Sequence, residues 1–378
     1  HAAFNLVYSE CDREEAEQRV KRFIRPFDLT GAPLMRVEMI KVGENKNILM
    51  VDIHHIVADG TALQVLINEF TVLSGDITLP PLNIHYKDFA AWQNKLLDSG
   101  AIKKQEAYWL SRFRDGLPIL DLPTDYPRPS IRSTEGYIIY FEINRELTKK
   151  TKSLRAETGT TLYMLILAVY NILLSRYTLQ EEIIVGTPVS GRNHADLQDL
   201  IGTLANMVAM KNQPNKNKKF TDFLKEVKEN ALQAYENQDF QFETLIEKLN
   251  LQVDPGRHPL FDVVLNVINL ERGKRQPENK HPQKNENPHI EPYPVEYHTA
   301  KYDLVLRASP KKNTLSMSLE YSTALFKKST VENMVKNFIQ ILNQVVENKD
   351  ITLEHITISN PFLLVQNTPD EEDMGFNF

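Results

Sequence analysis

The chain has 378 residues, a length that predicts two domains or lobes, and its 42 % hydrophobic and 25 % charged residues are ordinary for a globular protein. Its formal net charge of −6 gives no reason to expect nucleic acid as a partner. The single cysteine, Cys11, excludes an internal disulfide and a multi-cysteine metal site, and fits a reducing, cytoplasmic compartment. Because the chain begins with His1 and shows no signal-like segment, we expect a piece of a longer protein.

The first part of the chain predicts two strands and then helices. Residues 34–42 alternate between apolar and polar side chains, as a strand does. Residues 47–53, "NILMVDI", form a more apolar run, which predicts a strand buried on both faces. Residues 62–73 have the length and spacing of a helix, and further helices are predicted around Trp92 and in "KKQEAYWLSRF".

Residues 116–129, "GLPILDLPTDYPRP", contain too many prolines for regular structure and predict a connection between two lobes. Beyond them, strands and helices alternate, which predicts an α/β fold. The apolar run at 161–174 is too short to span a bilayer and predicts a buried helix. Strands are predicted at 134–143, 182–192, 261–270, 302–309 and 314–322. Helices are predicted at 220–238 and 331–346, the latter behind a capping box of Ser329 and Glu332.

Two segments look unlike the rest. Residues 271–299 are charged, interrupted by proline and nearly free of aliphatic side chains, which predicts an exposed excursion. Residues 361–378 are acidic and without periodicity, and predict a tail or linker.

The stretch "ILMVDIHHIVADGTAL" carries the candidate chemistry. His54 and His55 follow a predicted strand and precede a predicted helix, a place where α/β folds bind ligands. Imidazole titrates near neutral pH and therefore suits proton transfer. Neighbours on a strand face opposite ways, so we expect His54 to be structural and His55 to be the candidate for catalysis; on the residues alone, a structural His55 also stays open. The same geometry argues against a shared metal ion. Asp59 adds a carboxylate, and Gly60 permits close approach.

"HHIVADG" resembles the HHxxxDG signature of the condensation domains of nonribosomal peptide synthetases, in the superfamily that resembles chloramphenicol acetyltransferase. Further segments similar to the family's motifs follow in order, from near residue 30 to about 355. They are "YKDFAAW", "LPTDYPRP", "GTPVSGR", "NQDFQFE" and "DPGRHPLFDVVLN". The chain departs from the family in lacking two motifs expected before Asn5, in Gln241 where proline is usual, and around Asn206, whose neighbours Leu204, Ala205 and Met207 differ.

This resemblance implies two acetyltransferase-like lobes in a V-shaped pseudodimer, with the N-terminal part of the first lobe absent. The first lobe would cover residues 1–115 and the connection 116–129. The second lobe would cover 130–360, with a latch-like excursion at 271–299 that crosses towards the first lobe, and 361–378 would follow as the tail.

The resemblance also implies an acyltransferase that forms a peptide bond between a donor acyl or peptidyl thioester and the amine of an acceptor aminoacyl thioester. Upstream and downstream peptidyl carrier proteins would deliver both on phosphopantetheine arms, and neighbouring synthetase domains would be partners. No cofactor or metal would be bound by the domain itself, and neither nucleic acid nor membrane would be a partner. Antibiotic biosynthesis, a form of secondary metabolism in the cytoplasm, is the expected setting.

The resemblance assigns roles to individual residues. His55 and Gly60 would be the catalytic positions, with Gly60 leaving room for the acceptor arm. His54, Asp59 and Arg192 would support them, and we expect a bidentate salt bridge between Asp59 and Arg192 that fixes the loop of His55. The substrate-channel candidates are Asn206, Gln238 and Asp239; for Gln238 and Asp239 the residues themselves favour a structural role, in which they tie a helix end to a loop. Packing is expected of Tyr86 and Trp92, and a surface position of His258.

Three alternatives stay open. An epimerisation domain shares the double histidine, but needs a carboxylate base on the opposite lobe, and no motif places Glu243 for that. An ester-forming acyltransferase of the same superfamily would differ only in its acceptor. A catalytically silent docking module is a third reading, against which the intact "HHIVADG" counts.

Overall fold

The described residues form two compact units, each with its own sheet. The first unit contains the described residues before 97 and the returning segment Ser190–Ala205. The sequence-based boundaries place that segment in the second lobe instead. The second unit contains Leu97–Val189 and most of the chain after 205. The computed structural model describes residues 5–44, 46–75, 77–114, 116–252, 254–268, 291, 293–294 and 298–359.

The first unit has a three-stranded sheet in the order β1-β2-β3, in which β1 runs parallel to β2 and β3 antiparallel to it. The predicted strands at 34–42 and 47–53 are confirmed as β2 and β3, whereas β1 and α1 were not predicted. Its elements are β1 (Leu6–Glu10), α1 (Arg13–Phe23), β2 (Met35–Lys41), β3 (Asn47–Ile53), α2 (Gly60–Leu73) and α3 (Tyr86–Leu97).

The expectation that β3 is buried on both faces is wrong. Its side chains alternate, so that Ile48 and Met50 are buried while Leu49 and Val51 are 37 % and 38 % exposed. The buried side chains meet Phe23 of α1 in a small apolar cluster. A strand that is covered by a helix on one face needs only every second residue to be apolar. The prediction failed because the other face of β3 also carries apolar residues.

The second unit is built on a six-stranded mixed sheet, in the order β4-β9-β8-β7-β5-β6. The strands predicted at 302–309 and 314–322 are confirmed as β8 and β9, which pair antiparallel. Its strands are β4 (Gly136–Ile143), β5 (Ile183–Val189), β6 (Asn206–Asn212), β7 (Val263–Val267), β8 (Leu304–Pro310) and β9 (Leu315–Ser322). Its helices are α4 (Gly100–Arg112), α5 (Arg145–Thr158), α6 (Leu162–Thr178), α7 (Phe220–Glu236), α8 (Phe242–Leu249) and α9 (Lys328–Glu347).

Helix α6 forms the centre of the large core, as its apolar sequence predicts. Its residues Leu165–Val169 are fully buried, and the side chain of Thr161 caps its first turn by accepting from the amide of Met164 at 3.2 Å. Among the described helices, no single one is long and apolar enough to cross a membrane. The pair α5–α6 reaches that measure only together, across a bend of 105°.

The last helix, α9, begins differently from the prediction. Ser329 lies inside the first turn, and no local side chain caps the helix, so the predicted capping box is wrong. The cap comes from Asp125 in the proline-rich connection. Its carboxylate accepts from the amide of Lys327 at 2.7 Å and from the hydroxyl of Thr330 at 2.9 Å. A partner more than two hundred residues away cannot be read from a local pattern.

The connection 116–129 contains neither helix nor strand, as predicted. Most of the predicted excursion 271–299 and the whole predicted tail 361–378 lie outside the described residues, and the predictions for them stand as predictions. Tyr293 is one of the described residues of the excursion, and it packs against the small core of the first unit.

Candidate active site

The two histidines lie in a six-residue loop between β3 and α2, where the sequence places them. The loop is anchored at its start by two backbone hydrogen bonds. The amide of His54 donates to the carbonyl of Leu34 at 3.0 Å, and the amide of Val57 donates to the carbonyl of His54 at 3.0 Å. These bonds turn the chain sharply out of the sheet directly before the helix begins.

His54 is held by protein contacts. Its Nδ1 accepts a hydrogen bond from the amide of Ile56 at 3.1 Å, and its ring meets Phe27 edge-on with the centroids 6.0 Å apart. The acceptor bond fixes the ring orientation, because Nδ1 must be the unprotonated nitrogen. These contacts agree with the structural role expected of this residue.

His55 is exposed, and its imidazole makes no hydrogen bond to any residue in the described parts of the chain. Only its backbone is held. The carbonyl of His55 accepts a hydrogen bond from the hydroxyl of Thr203 at 2.5 Å. The ring is therefore available to another molecule, as a proton-handling group has to be.

Asp59 lies at the end of the loop and is only 1 % exposed. Its Oδ1 caps helix α2 by accepting from the amide of Ala62 at 2.8 Å. Its Oδ2 accepts from the amides of Leu204 and Ala205 at 3.0 and 3.1 Å, and from Nη1 of Arg192 at 2.8 Å. The predicted salt bridge between Asp59 and Arg192 is thus confirmed, and the carboxylate also ties the histidine loop to the segment Ser190–Ala205.

The pair is not bidentate, contrary to expectation. Nη1 of Arg192 reaches one carboxylate oxygen, and its Nη2 donates to the carbonyls of Leu200 and Gly202 at 3.0 and 3.4 Å. The backbone amides of Leu204 and Ala205 share that same carboxylate oxygen. The guanidinium thereby organises the returning segment as well as neutralising the aspartate.

Burial by itself raises the pKa of Asp59, because a charged carboxylate loses its hydration. The hydrogen bonds from Arg192 and from the amides of Ala62 and Leu204 outweigh burial, so the pKa of Asp59 lies below its ordinary value. The group is therefore a fixed anion at neutral pH. It is suited to holding the loop and unsuited to exchanging protons.

Gly60 is the first residue of α2 and is exposed. A Cβ atom built on it meets open space, and its φ is not in the region that favours glycine. Neither local crowding nor backbone conformation in the described structure requires glycine at this position. This agrees with a glycine kept for the space beside it, but a role towards substrate stays a prediction.

The substrate-channel candidates all have protein partners in the second unit. The buried amide of Asn206 donates to the carbonyls of Gln238 and Phe240 at 2.9 and 2.8 Å, and its oxygen accepts from the amide of Phe242 at 3.1 Å. The Gln238 side chain donates to the carbonyl of Tyr235 at 2.7 Å. Such bonds join the end of α7 to the start of α8.

Asp239 belongs to the same connection. Its carboxylate accepts from the side-chain amide of Gln105 at 3.1 Å, and its backbone amide donates back to Gln105 at 3.0 Å. These contacts explain the pattern "NQDFQFE" structurally. A channel role for Asn206, Gln238 and Asp239 remains a prediction.

Two residues beside the histidine loop were missed by the sequence argument. Thr203 bonds to the carbonyl of His55, and Gly202 lies so close to the ring of Tyr86 that a Cβ there would be 2.2 Å from it. The hydroxyl of Tyr86 donates to the carbonyl of Thr203 at 3.1 Å. Only the departure of "IGTLANM" from the family pattern drew attention to this stretch, and it marked the neighbours of Thr203.

Tyr86 and Trp92 are expected to pack, and His258 to lie at the surface. Tyr86 and Trp92 both pack against Phe89, with ring centroids 5.9 and 5.8 Å apart. His258 is half-buried against Tyr302, with the centroids 4.2 Å apart, so the expected surface position holds only in part. Burial lowers the pKa of His258. Within the described ranges, no three His, Cys, Asp or Glu side chains are placed to share a metal ion.

Comparison with known proteins gives one consistent result. The family model described as "Condensation domain" matches residues 1–362. The chain is 44 % identical over 351 residues to Tyrocidine synthase 3 of Brevibacillus parabrevis, covering 93 % of the chain and 5 % of that protein. It is 44 % identical over 353 residues to Gramicidin S synthase 2 of Aneurinibacillus migulanus, covering 93 % of the chain and 8 % of that protein. The chain therefore spans a small part of these relatives.

Solved structures agree in fold. The X-domain in its complex with OxyB from teicoplanin biosynthesis superposes with a TM-score of 0.82 at 22 % identity, covering 95 % of this chain and 80 % of that one. The four-domain nonribosomal peptide synthetase AB3403, bound to AMP and glycine, gives a TM-score of 0.82 at 20 % identity, covering 96 % of this chain and 28 % of that one. With a family model that matches nearly its whole length and relatives above 40 % identity, the chain belongs to the condensation-domain family of nonribosomal peptide synthetases.

Proposed function

We propose that this domain forms a peptide bond between a donor acyl or peptidyl thioester and the amine of an acceptor aminoacyl thioester. Condensation domains are acyl-transfer catalysts, and the relatives are peptide synthases, which supports the reaction class. Carrier proteins on either side would present both substrates on phosphopantetheine arms. Neighbouring synthetase domains are then its working partners, and the cytoplasm its compartment.

The observation that supports the proposal most is the contrast between Asp59 and His55. Asp59 is buried and bound by Arg192 and three backbone amides, so the end of the loop is fixed. His55 is exposed, and its ring has no partner among the described residues. A rigid loop that presents a free imidazole is the arrangement that proton handling in a transition state requires.

The chemistry can be followed by bonds and protons. The neutral acceptor amine attacks the donor thioester carbonyl, which forms the C–N bond and a tetrahedral intermediate. Collapse of that intermediate breaks the C–S bond and releases the donor arm as a thiolate. The nitrogen loses one proton and the sulfur gains one. We assign to the imidazole of His55 the reception or orientation of the nitrogen's proton and its return to the sulfur.

Two residues of the loop complete the assignment. Gly60 leaves the space beside the first turn of α2 open, and we assign that space to the acceptor arm. Asp59 transfers no proton, because its carboxylate accepts hydrogen bonds at both oxygens and its pKa is held low. No metal or cofactor bound by the domain has a part in the proposed reaction.

The alternatives predict different products. Epimerisation inverts the α-carbon of a carrier-bound residue and forms no new bond. The ester-forming variant transfers the same acyl group to a hydroxyl. A docking module makes nothing, and the X-domain solved in complex with OxyB shows that a domain of this fold can be captured with another protein.

One experiment separates these readings. The domain is incubated with a donor carrier protein loaded with L-phenylalanine, D-phenylalanine or a fatty acyl group, and an acceptor carrier protein loaded in turn with each proteinogenic amino acid. We expect the acceptor arm to gain the mass of the donor acyl group as an amide stable to mild base. Three outcomes would each contradict the proposal. They are an inverted α-carbon without mass gain, an ester that is sensitive to base, and an acceptor arm that stays unchanged with every substrate pair.

A further inference from the structure

The imidazole of His55 has no side-chain partner among the described residues, so its direction depends on the backbone that carries it. The backbone before it is fixed through His54, whose amide and carbonyl are both bonded. The backbone after it is fixed by Asp59, four residues later. The peptide unit that contains the carbonyl of His55 lies between these anchors. Its carbonyl accepts a hydrogen bond from the hydroxyl of Thr203 at 2.5 Å, and its amide, that of Ile56, donates to Nδ1 of His54 at 3.1 Å.

Thr203 is itself held on both sides. Gly202 accepts from the amide of Asp59 at 3.3 Å through its carbonyl, and Leu204 donates its amide to the carboxylate of Asp59 at 3.0 Å. The carbonyl of Thr203 accepts from the hydroxyl of Tyr86 at 3.1 Å. The hydroxyl of Thr203 therefore extends from a rigid backbone and holds the carbonyl side of a peptide unit whose amide side is held by the ring of His54.

Tyr86 can reach Thr203 because residue 202 is glycine. A Cβ atom at Gly202 would lie 2.2 Å from the tyrosine ring, closer than any real contact. The ring lies against the bare backbone, and its hydroxyl then meets the next carbonyl along the chain. The "YKDFAAW" and "IGTLANM" segments, far apart in sequence, are joined by this contact.

From these contacts we infer that Thr203 is a positioning residue for His55, and that Tyr86 positions Thr203. The inference rests on the proposed role of His55 in peptide-bond formation. Rotation of the peptide unit after His55 turns its Cα–Cβ bond and moves the ring at the end of it. The hydroxyl of Thr203 limits that rotation at the carbonyl, as the bond from the amide of Ile56 to His54 does at the other end of the peptide unit. A displacement of about 1 Å at a reacting group costs roughly a hundredfold in rate, so a weak bond in this place has a large effect.

The test uses variants that differ by one hydroxyl. Thr203→Val keeps the shape and removes the donor, Thr203→Ser keeps the donor, and Tyr86→Phe removes the second hydroxyl. Thr178→Val is the matched control, because Thr178 also donates to a carbonyl from a half-buried position, at 2.9 Å, but in α6. Single-turnover rate, KM for the acceptor carrier and melting temperature are measured for each, with the substrate pair that wild type uses best.

We expect Thr203→Val to lower kcat by about 10- to 100-fold with KM little changed. Thr203→Ser should restore most of the rate, and Thr178→Val should leave it at the wild-type level. Tyr86→Phe should lower kcat less, and should add almost nothing in the Thr203→Val background, because it acts through Thr203. In a His55→Ala background, Thr203→Val should have no further effect. Unchanged kcat in Thr203→Val, or a loss that Thr203→Ser does not restore, would overturn the inference.

A second readout needs no activity and so separates this inference from the proposed function. With 13C-labelled histidine, the ring resonances of His55, assigned through the His55→Ala spectrum, should shift or broaden in Thr203→Val and return in Thr203→Ser. Those of His258, in the second unit, should stay in place. If wild type forms no peptide bond but the His55 resonances move as described, the positioning stands and the proposed function fails. If the His55 resonances stay in place in Thr203→Val, the positioning fails, whatever the activity.

Discussion

His54 and His55 are adjacent in sequence and opposite in environment. One ring is bonded by the amide of Ile56 and packs on Phe27, and the other is exposed without a described partner. Strand alternation predicts different surroundings for the two rings, and the turn after β3 gives them different surroundings; the catalytic role of His55 stays a prediction. Strand alternation is not the physical cause, because both histidines come after Ile53, the last residue of β3.

Substitution at the two positions should therefore have separable effects. His55→Ala removes the group to which we assign proton handling, and it should lower the rate of peptide transfer by about 10² to 10⁴ with an unchanged melting temperature. His54→Ala removes a hydrogen bond and a ring contact, each worth about 1 kcal/mol, and should lower the melting temperature instead. Circular dichroism melts and single-turnover rates measure both. A folded His55→Ala variant with near wild-type turnover would show that the role belongs elsewhere.

Asp59 and Arg192 are nearly inaccessible to solvent, which fixes the energetics of their pair. Removing either partner strands a buried charge and should cost about 3 to 5 kcal/mol. Asp59→Ala and Arg192→Ala should each lower the free energy of unfolding, and the double variant should recover part of the loss. Denaturant titration of all four proteins closes the cycle. Strictly additive losses would mean that the two residues act independently.

The low pKa of Asp59 gives a dependence on pH. A group whose pKa is lower in the folded state stabilises above its unfolded value, about 3.9, and loses that contribution as the pH falls through the folded value. Asp59→Asn has no such contribution. The gap in melting temperature between wild type and Asp59→Asn should be constant from pH 8 to pH 5 and narrow below about pH 4. A gap that widened on acidification would contradict the assigned sign.

At the scale of elements, the cap of α9 joins two parts of the second unit that are far apart in sequence. Asp125→Ala removes the acceptor for Lys327 and Thr330 and should cost about 0.5 to 2 kcal/mol, typical for a helix cap. Asp121→Ala, in the same connection with its side chain exposed, is the matched control and should have no effect. Equal melting temperatures for the two variants would show that Asp125 does not stabilise this helix.

Periodicity predicted the strands β2 to β5 and the core helix α6 because their patterns are long and local. It predicted no element for α5 or for β6. It also missed the packing of β3, since one apolar face of that strand is not covered within the described residues. In the site, a motif match singled out Asp59 and Arg192, whereas Thr203 acts through a hydroxyl-to-carbonyl bond that any threonine can make.

At the scale of the whole molecule, the chain divides differently from a simple split at the proline-rich connection. Ser190–Ala205 lies between β5 and β6 in sequence but belongs to the first unit. Asp59 explains why: its carboxylate binds Arg192, Leu204 and Ala205 of that segment. This buried ion pair joins residues 133 positions apart in sequence, a contact that composition cannot show.

The central claim is that this domain forms an amide on an acceptor arm and that His55 is needed for it. Intact-mass measurement of the acceptor carrier protein, after one turnover with loaded donor, tests both parts together. We predict an acceptor that gains the donor acyl mass with wild type, and a rate at least about a hundredfold lower with folded His55→Ala. No mass gain with wild type across all substrate pairs, or equal rates for the two proteins, would contradict the account.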